Sequence, residues 1–270
     1  MEIKITLTPR ELLFISALLN GTEFLGIPDA FFGMEDTEIQ QVLLNLQSSL
    51  EEKGYAEMDF DGSFVLKEDV SDMVDICANC EIFVVVDKNE AGKAQIRELY
   101  YVKATSIVKL SESEEGYSLT SINNVDNLIE HIAEGVKLQY DGTPPLKEVK
   151  LTNEMLSDIK TKPGNVSQSH RVKLLVEQGC DELSAKTIIS GLAGKSDYYS
   201  VIITVLEGEK EGVYNITLIA SENSIYKITP TTVDGEQEAV QFNMLTAKEA
   251  KIAWDEVIRG SIPSERKVAL

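Results

Sequence analysis

The two halves of this 270-residue chain carry related sequence signals, and this repetition limits the possible folds more than any other feature. Leu7-Thr8 before an apolar helical run is echoed by Leu151-Thr152 before another, and Ser106-Ile107-Val108-Lys109 is echoed by Ser224-Ile225-Tyr226-Lys227. In each half a capped helix comes first, followed by more helix, a long β-hairpin, another strand and a closing helix. Because repeated units bury their apolar faces on each other, we expect two similar halves that share one sheet about a pseudo-two-fold axis.

The order of these signals predicts an α+β fold with a central, mainly antiparallel sheet flanked by helices. The first half is expected to cover residues 1–140 and the second half residues 146–260. The Gly- and Pro-containing segment Gln139–Pro145 separates them as a linker. Residues 261–270 are expected to form a flexible tail.

The N-terminal segment, residues 8–67, predicts two helices and a hairpin, an order close to that of a winged helix. Thr8, Pro9 and Glu11 form the start of a capped helix, and Asp61-Gly62 is a strong hairpin turn. A DNA-binding winged helix needs a basic recognition helix. Residues 8–70 instead contain thirteen acidic and three basic residues. The sequence therefore predicts a winged-helix-like N-terminal arm that does not bind nucleic acid.

The charge of the whole chain points the same way, with 45 acidic against 25 basic residues and a net charge of −20. Such a protein repels polyanions, which disfavours nucleic acid and anionic lipid as partners. No stretch is long and apolar enough to span a bilayer, and Met1–Thr6 lacks the apolar core of a signal peptide. Three cysteines are too few for a disulfide framework. We therefore expect a cytoplasmic protein without membrane insertion.

Motifs for catalysis, cofactors or metals are not evident in the sequence. Cys77-Ala78-Asn79-Cys80 is a lone Cys-x-x-Cys motif, whereas structural zinc needs four ligands, and Cys180, His131 and His170 are isolated. The motif also closes a predicted helix before a strand, the reverse of the thioredoxin order. These cysteines are expected to be packing residues, although the pattern leaves a redox or metal role open. We expect no enzyme and no cofactor, because nucleophile elbows, phosphate loops and paired carboxylates are missing.

Several local patterns resemble a known family. They are Leu7-Thr8 with Glu11-Leu12-Leu13, the helix end at Lys53-Gly54-Tyr55, the hairpin through Asp61-Gly62, and the helix leading into Ile82-Phe83-Val84-Val85-Val86. With the length and the repeated layout, they resemble the EspG family, the cytosolic chaperones of type VII (ESX) secretion. A relative of that family from a Gram-positive bacterium fits the same patterns. The resemblance implies a central sheet with quasi-two-fold helical arms, and a non-enzymatic protein that holds a helical secretion substrate soluble before export.

Such a chaperone needs an apolar docking patch on a charged, soluble body. The candidates are the aromatic pair of the first loop and the hairpin turns at Lys88–Lys93 and Glu207–Gly212. The predicted partner-binding residues are Phe31, Phe32, Lys88, Asn89, Lys93, Glu207 and Lys210. Packing of Phe31 and Phe32 into the core is the alternative. The sequence does not name the partner or the oligomeric state.

Two other classes of function stay open at this level. One is a regulatory adaptor that binds protein through its winged-helix-like arm. The other is an enzyme whose site leaves no motif, which a pocket with strongly perturbed carboxylates would favour.

Overall fold

The computed structural model describes residues 3–21, 24–90, 93–134, 136, 138, 149–160, 167–193, 196–206, 211–221, 224–233 and 236–262. The elements of the first half are β1 (Lys4–Leu7), α1 (Pro9–Leu18), α2 (Asp36–Glu52), β2 (Ala56–Met58), β3 (Phe64–Leu66), α3 (Glu68–Ala78), β4 (Ile82–Asn89), β5 (Ile96–Lys103), β6 (Ser106–Ser113), β7 (Gly116–Ile122) and α4 (Val125–Ala133). The elements of the second half are β8 (Val149–Thr152), α5 (Asn153–Lys160), α6 (Gln168–Glu177), α7 (Glu182–Leu192), β9 (Asp197–Val205), β10 (Gly212–Ser221), β11 (Ser224–Val233), β12 (Glu236–Leu245) and α8 (Ala247–Ser261).

Ten strands form one sheet in the order β1-β7-β6-β5-β4-β9-β10-β11-β12-β8. Every neighbouring pair is antiparallel, and the halves join at β4 and β9, where Val85 is paired with Ile202 and Val86 with Val201. Read outward from that junction, each half contributes four consecutive strands and then its own first strand at the edge. The predicted α+β fold with a large antiparallel sheet flanked by helices is therefore confirmed.

The element order of residues 4–133 recurs in residues 149–261, except that the β2–β3 hairpin has no counterpart among the described residues of the second half. Each half begins with a short strand, so the expectation that a helix comes first is wrong. In both halves the Leu-Thr signature marks the end of that strand and the start of the helix, at Thr8 and at Thr152. The pseudo-two-fold axis and the winged-helix character of the arm stay predictions.

Helices cover both faces of the sheet. Helices α4 and α8 pack on one face, over a core to which both halves contribute. On the other face, helices α1–α3 cover the strands of the first half and helices α5–α7 those of the second, so that two separate clusters form. Side chains alternate between the faces along each strand, and Tyr100 accordingly lies in the shared core while Tyr101 lies under α1–α3.

The last two described residues of the chain, Ser261 and Ile262, are buried, although the sequence predicts that they belong to a flexible tail. Ile262 packs in the core beneath α8, and its N–H donates to the carbonyl of Ile258. The predicted tail therefore does not begin at residue 261, and residues 263–270 lie outside the described part of the chain.

A buried carboxylate fixes the first two helices of the arm to each other. The Glu11 side chain is only 1% exposed and closes the capping box of α1 by accepting from the Thr8 N–H at 2.7 Å. It also accepts from Ser49 Oγ and from Lys53 Nζ of the α2 end, each at 2.7 Å. Burial raises the pKa of Glu11, but the hydrogen bonds from Lys53, Thr8 and Ser49 outweigh it and hold the pKa below its usual value. The start of α1 is thereby tied to the end of α2.

Candidate partner-binding surface

The loop between α1 and α2 is anchored to the sheet before it reaches its aromatic pair. Phe24 is buried edge-on against Tyr101, with ring centroids 5.5 Å apart, and the Tyr101 hydroxyl donates to the Leu25 carbonyl at 2.6 Å. Gly26 follows with φ +79°, and a Cβ placed there would lie 2.8 Å from Leu99 Cδ1. Only glycine adopts this conformation in this space without strain, so the backbone is fixed at this point of the loop.

The two phenylalanines of this loop have different environments. The Phe31 N–H donates to Asp29 Oδ1 at 2.9 Å, and Arg10 Nε donates to the Ala30 carbonyl at 3.3 Å, which holds the turn on α1. Phe31 is half-buried against the core under α1–α3, whereas Phe32 is 89% exposed. The core-packing alternative therefore describes Phe31, and Phe32 is the residue that the loop presents to solvent.

An apolar cleft lies beside this loop. It has a volume of about 640 Å³ and opens between α1, α2 and the loop. Its apolar lining comes from Leu13, Phe14, Ala17, Phe24, Ile27, Phe31, Ile39 and Leu43. We call it the arm cleft. Phe31 lines the cleft, and Phe32 follows it directly in the chain, so the exposed ring comes one residue after the cleft wall.

The predicted turn at Lys88–Lys93 begins later than expected, because its first two residues belong to a strand. Lys88 and Asn89 lie in β4 and pair with β9. Lys88 is only 8% exposed, its Nζ lies 2.9 Å from Glu98 Oε2, and it donates to the carbonyls of His131 and Glu134 at 3.3 and 2.7 Å. The prediction that Lys88 and Asn89 belong to an exposed turn is wrong, because Lys88 fastens the C-terminal end of α4 to the sheet.

The partner of Lys88 is a shared carboxylate. Glu98 also pairs with Lys109, and the Tyr100 hydroxyl donates to Glu98 Oε2 at 3.2 Å. Burial raises the pKa of Glu98, but the hydrogen bonds from Lys109 and Lys88 outweigh it and lower the pKa below its usual value. Lys93, in contrast, is 63% exposed and pairs with Glu90 at 2.6 Å. Of the three predicted residues of this turn, Lys93 is exposed, Asn89 is half-buried and Lys88 is buried.

The second predicted turn falls on residues that the structure does not describe, since Glu207 and Lys210 lie outside the described ranges. Sequence reasoning also missed a surface residue in the N-terminal arm. Phe60, in the turn of the β2–β3 hairpin, is fully exposed. The sequence signal for it is Asp59-Phe60-Asp61-Gly62, an aromatic residue inside an otherwise polar turn.

Comparison with known proteins adds the fold relationship. No protein-family model matches the sequence, and no curated protein matches it. A solved structure of the Mycobacterium tuberculosis type VII secretion system chaperone EspG5, in complex with the PE25–PPE41 dimer, matches with a TM-score of 0.62. The match covers 99% of this chain and 99% of that chain, at 11% sequence identity. This chain has the EspG5 fold. The resemblance drawn from the local patterns is therefore confirmed at the level of the fold.

The described part of the EspG5-like fold contains no group of three or more His, Cys, Asp or Glu residues placed to hold a metal ion. Cys77 is buried and Cys80 is half-buried, and burial raises the pKa of both thiols, that of Cys80 to about 11. Since the thiolate is the reactive form, this environment favours packing over redox chemistry. Among the described helices, none has the length and apolarity that a bilayer crossing requires.

Proposed function

We propose that this protein is a non-enzymatic cytosolic chaperone that holds a helical type VII secretion substrate through the arm cleft and Phe32. The observation that carries the proposal is the EspG5 fold, which extends over 99% of the chain. The EspG5 structure is a complex with a PE25–PPE41 dimer, which favours a protein partner for this chain too. The open apolar surface of the N-terminal arm provides a place for such a partner.

The geometry of this surface suits an amphipathic helix. Residues four apart on a helix lie on one face, so one apolar side chain can enter the cleft while a neighbour packs on the Phe32 ring. The loop is already fixed by Phe24 and Gly26, so little conformational freedom is lost when the partner binds. A few side chains near the centre of an interface usually carry most of its binding free energy, and we assign that role to Phe32.

We further propose that the two halves, residues 1–140 and 146–260, descend from one duplicated unit and are related by a pseudo-two-fold axis at the β4–β9 junction. The repeated element order and the matching outward order of strands support this. The winged-helix-like arm belongs to the first copy. Superposing β4–β7 on β9–β12 tests the proposal, which fails if the strands do not overlay in the same order and direction.

The chaperone function is tested by co-purification and affinity. The tagged full-length chain is expressed in its native cell, the proteins encoded beside it are sought in the eluate, and the recovered partner is titrated calorimetrically. Phe32→Ala is expected to raise Kd about 30-fold, equivalent to about 2 kcal/mol. The control, Val213→Ala, removes an exposed apolar side chain of β10 and is expected to leave Kd unchanged.

Three results contradict the proposal: no helical partner is recovered, Phe32→Ala binds like the wild type, or the protein turns over a small molecule. The adaptor alternative predicts a different result. An adaptor would recover a partner unconnected with secretion.

A further inference from the structure

The β2–β3 hairpin ends in an apolar tip that the arm cleft does not explain. The Phe60 ring is fully exposed at the turn, and Met58 and Val65 on the two strands are also exposed. We call these three side chains the hairpin tip. They do not line the arm cleft. Because Met58 pairs with Phe64 and Val65 with Glu57, Met58 and Val65 project from opposite faces of the hairpin. Phe60, at its end, is the most exposed of the three, and leaving its ring in water costs free energy.

The turn beneath the tip is held in one conformation. The Asp59 N–H donates to the Ser63 carbonyl at 2.8 Å, and the Gly62 N–H donates to the Asp59 carbonyl at 2.9 Å. The Asp59 and Asp61 carboxylates accept from the N–H groups of Phe60 and Ser63 at 2.7 and 2.9 Å. At the base, the Lys67 N–H donates to the Tyr55 carbonyl at 2.9 Å. Phe60 is therefore presented on an ordered support, which lowers the entropic cost of binding.

Between Lys53 and Lys67, the hairpin carries only negative charges. Glu57, Asp59 and Asp61 are exposed within four positions of Phe60, and residues 54–66 contain no lysine or arginine. The hydrogen bonds from Ser63 lower the pKa of Asp61, so that carboxyl is ionised at neutral pH. A complementary surface must offer an apolar socket for the ring and cationic groups around it.

From these observations we propose that the hairpin tip docks a second protein partner, distinct from the substrate in the arm cleft, whose surface has an apolar socket for Phe60 rimmed by lysine and arginine. A second copy of this chain fits poorly, because it presents the same carboxylates and a net charge of −20. Anionic membranes and nucleic acids are repelled for the same reason. The inference goes beyond the proposed function and does not depend on it.

The test places the photo-crosslinker p-benzoylphenylalanine at position 60 of the full-length chain, with position 213 as the matched exposed control. After irradiation in the native lysate, mass spectrometry identifies the crosslinked peptide. We expect an apolar peptide flanked by lysine or arginine, obtained from position 60 and not from position 213. The corresponding purified protein is then titrated against wild type, Phe60→Ser, and the double variant Glu57→Gln with Asp61→Asn.

Phe60→Ser is expected to weaken binding at least tenfold at all salt concentrations. The double variant is expected to weaken it at low salt and to flatten its salt dependence. Thermal unfolding of each variant shows whether the hairpin change has left the fold intact. The proposal is overturned if position 60 crosslinks to nothing, to a lipid, to this chain itself, to an acidic peptide, or to the same helical substrate that Phe32 binds. Loss of substrate binding in Phe32→Ala alone leaves this inference standing, so the two proposals fail separately.

Discussion

Lys88→Met is the substitution that most sharply separates a surface role from a structural role for the β4–β5 region. In the wild type, Lys88 Nζ lies 2.9 Å from Glu98 Oε2 and donates to two backbone carbonyls at the end of α4. Methionine keeps the apolar stem of the side chain but removes the charge and all three contacts. A partner-binding role would leave stability unchanged, whereas the observed contacts require a loss.

The size of the loss follows from burial. Removing one partner of a buried ion pair costs about 3–5 kcal/mol. Glu98 keeps its contacts with Lys109 and Tyr100, which places the expected loss near the lower end, about 3 kcal/mol. An unfolding entropy of about 2.1 cal/mol/K per residue converts this over the whole chain to a fall in Tm of about 5 °C.

Scanning calorimetry at pH 7 measures the change, and Lys93→Met is the matched control. Lys93 is 63% exposed and has only a surface pair with Glu90, so its loss should cost no more than about 0.5 kcal/mol and about 1 °C. Equal stability of Lys88→Met and Lys93→Met would refute the reasoning, because it would mean that the buried lysine does not hold α4 to the sheet.

Two further predictions concern the N-terminal arm. Because the pKa of Glu11 lies below the usual 4.5, its stabilising contribution is full above that pH and is lost as pH falls through the lowered pKa. Glu11→Gln should therefore lower the free energy of unfolding by about 1–2 kcal/mol at pH 7. Denaturant titrations should show this difference between the variant and the wild type shrinking in acid, and a difference that is constant with pH would contradict the assignment. The acidic arm should give no salt-sensitive anisotropy change with mixed-sequence duplex DNA at physiological salt, and tight, salt-sensitive binding would overturn its interpretation as a protein-binding arm.

Short sequence motifs predict the helices whose ends are stabilised by neighbouring residues in the chain. Thr8 with Glu11 predicts a capped helix, and the structure has that capping box. The edge strands β1 and β8 were missed because each has four residues and a partner far along the chain; Lys4, for example, pairs with Thr120. The periodicity of a short stretch of sequence gives no information about a strand that pairs with it from far along the chain.

The candidate site shows the same limit. The sequence places Lys88 in a turn because the segment Lys88–Lys93 contains a glycine between two predicted strands. Its burial depends on Glu98, which follows the turn, and on α4 carbonyls more than forty residues away. Likewise, the adjacent Phe31 and Phe32 are equivalent in sequence, and only the course of the anchored loop makes one half-buried and the other exposed.

The features that point to partner binding all lie in one arm. The connection between the first two helices spans residues 19–35 in the first half but residues 161–167 in the second, and the hairpin region 53–67 corresponds to only 178–181. The described residues of the second half contain no hairpin that corresponds to β2–β3, and we propose that the longer connections of the first half carry the partner-binding function. We therefore expect one substrate per chain rather than two. Light scattering of the purified complex measures this ratio, and two equivalent substrates per chain would show that the docking surface lies on a feature that both arms share.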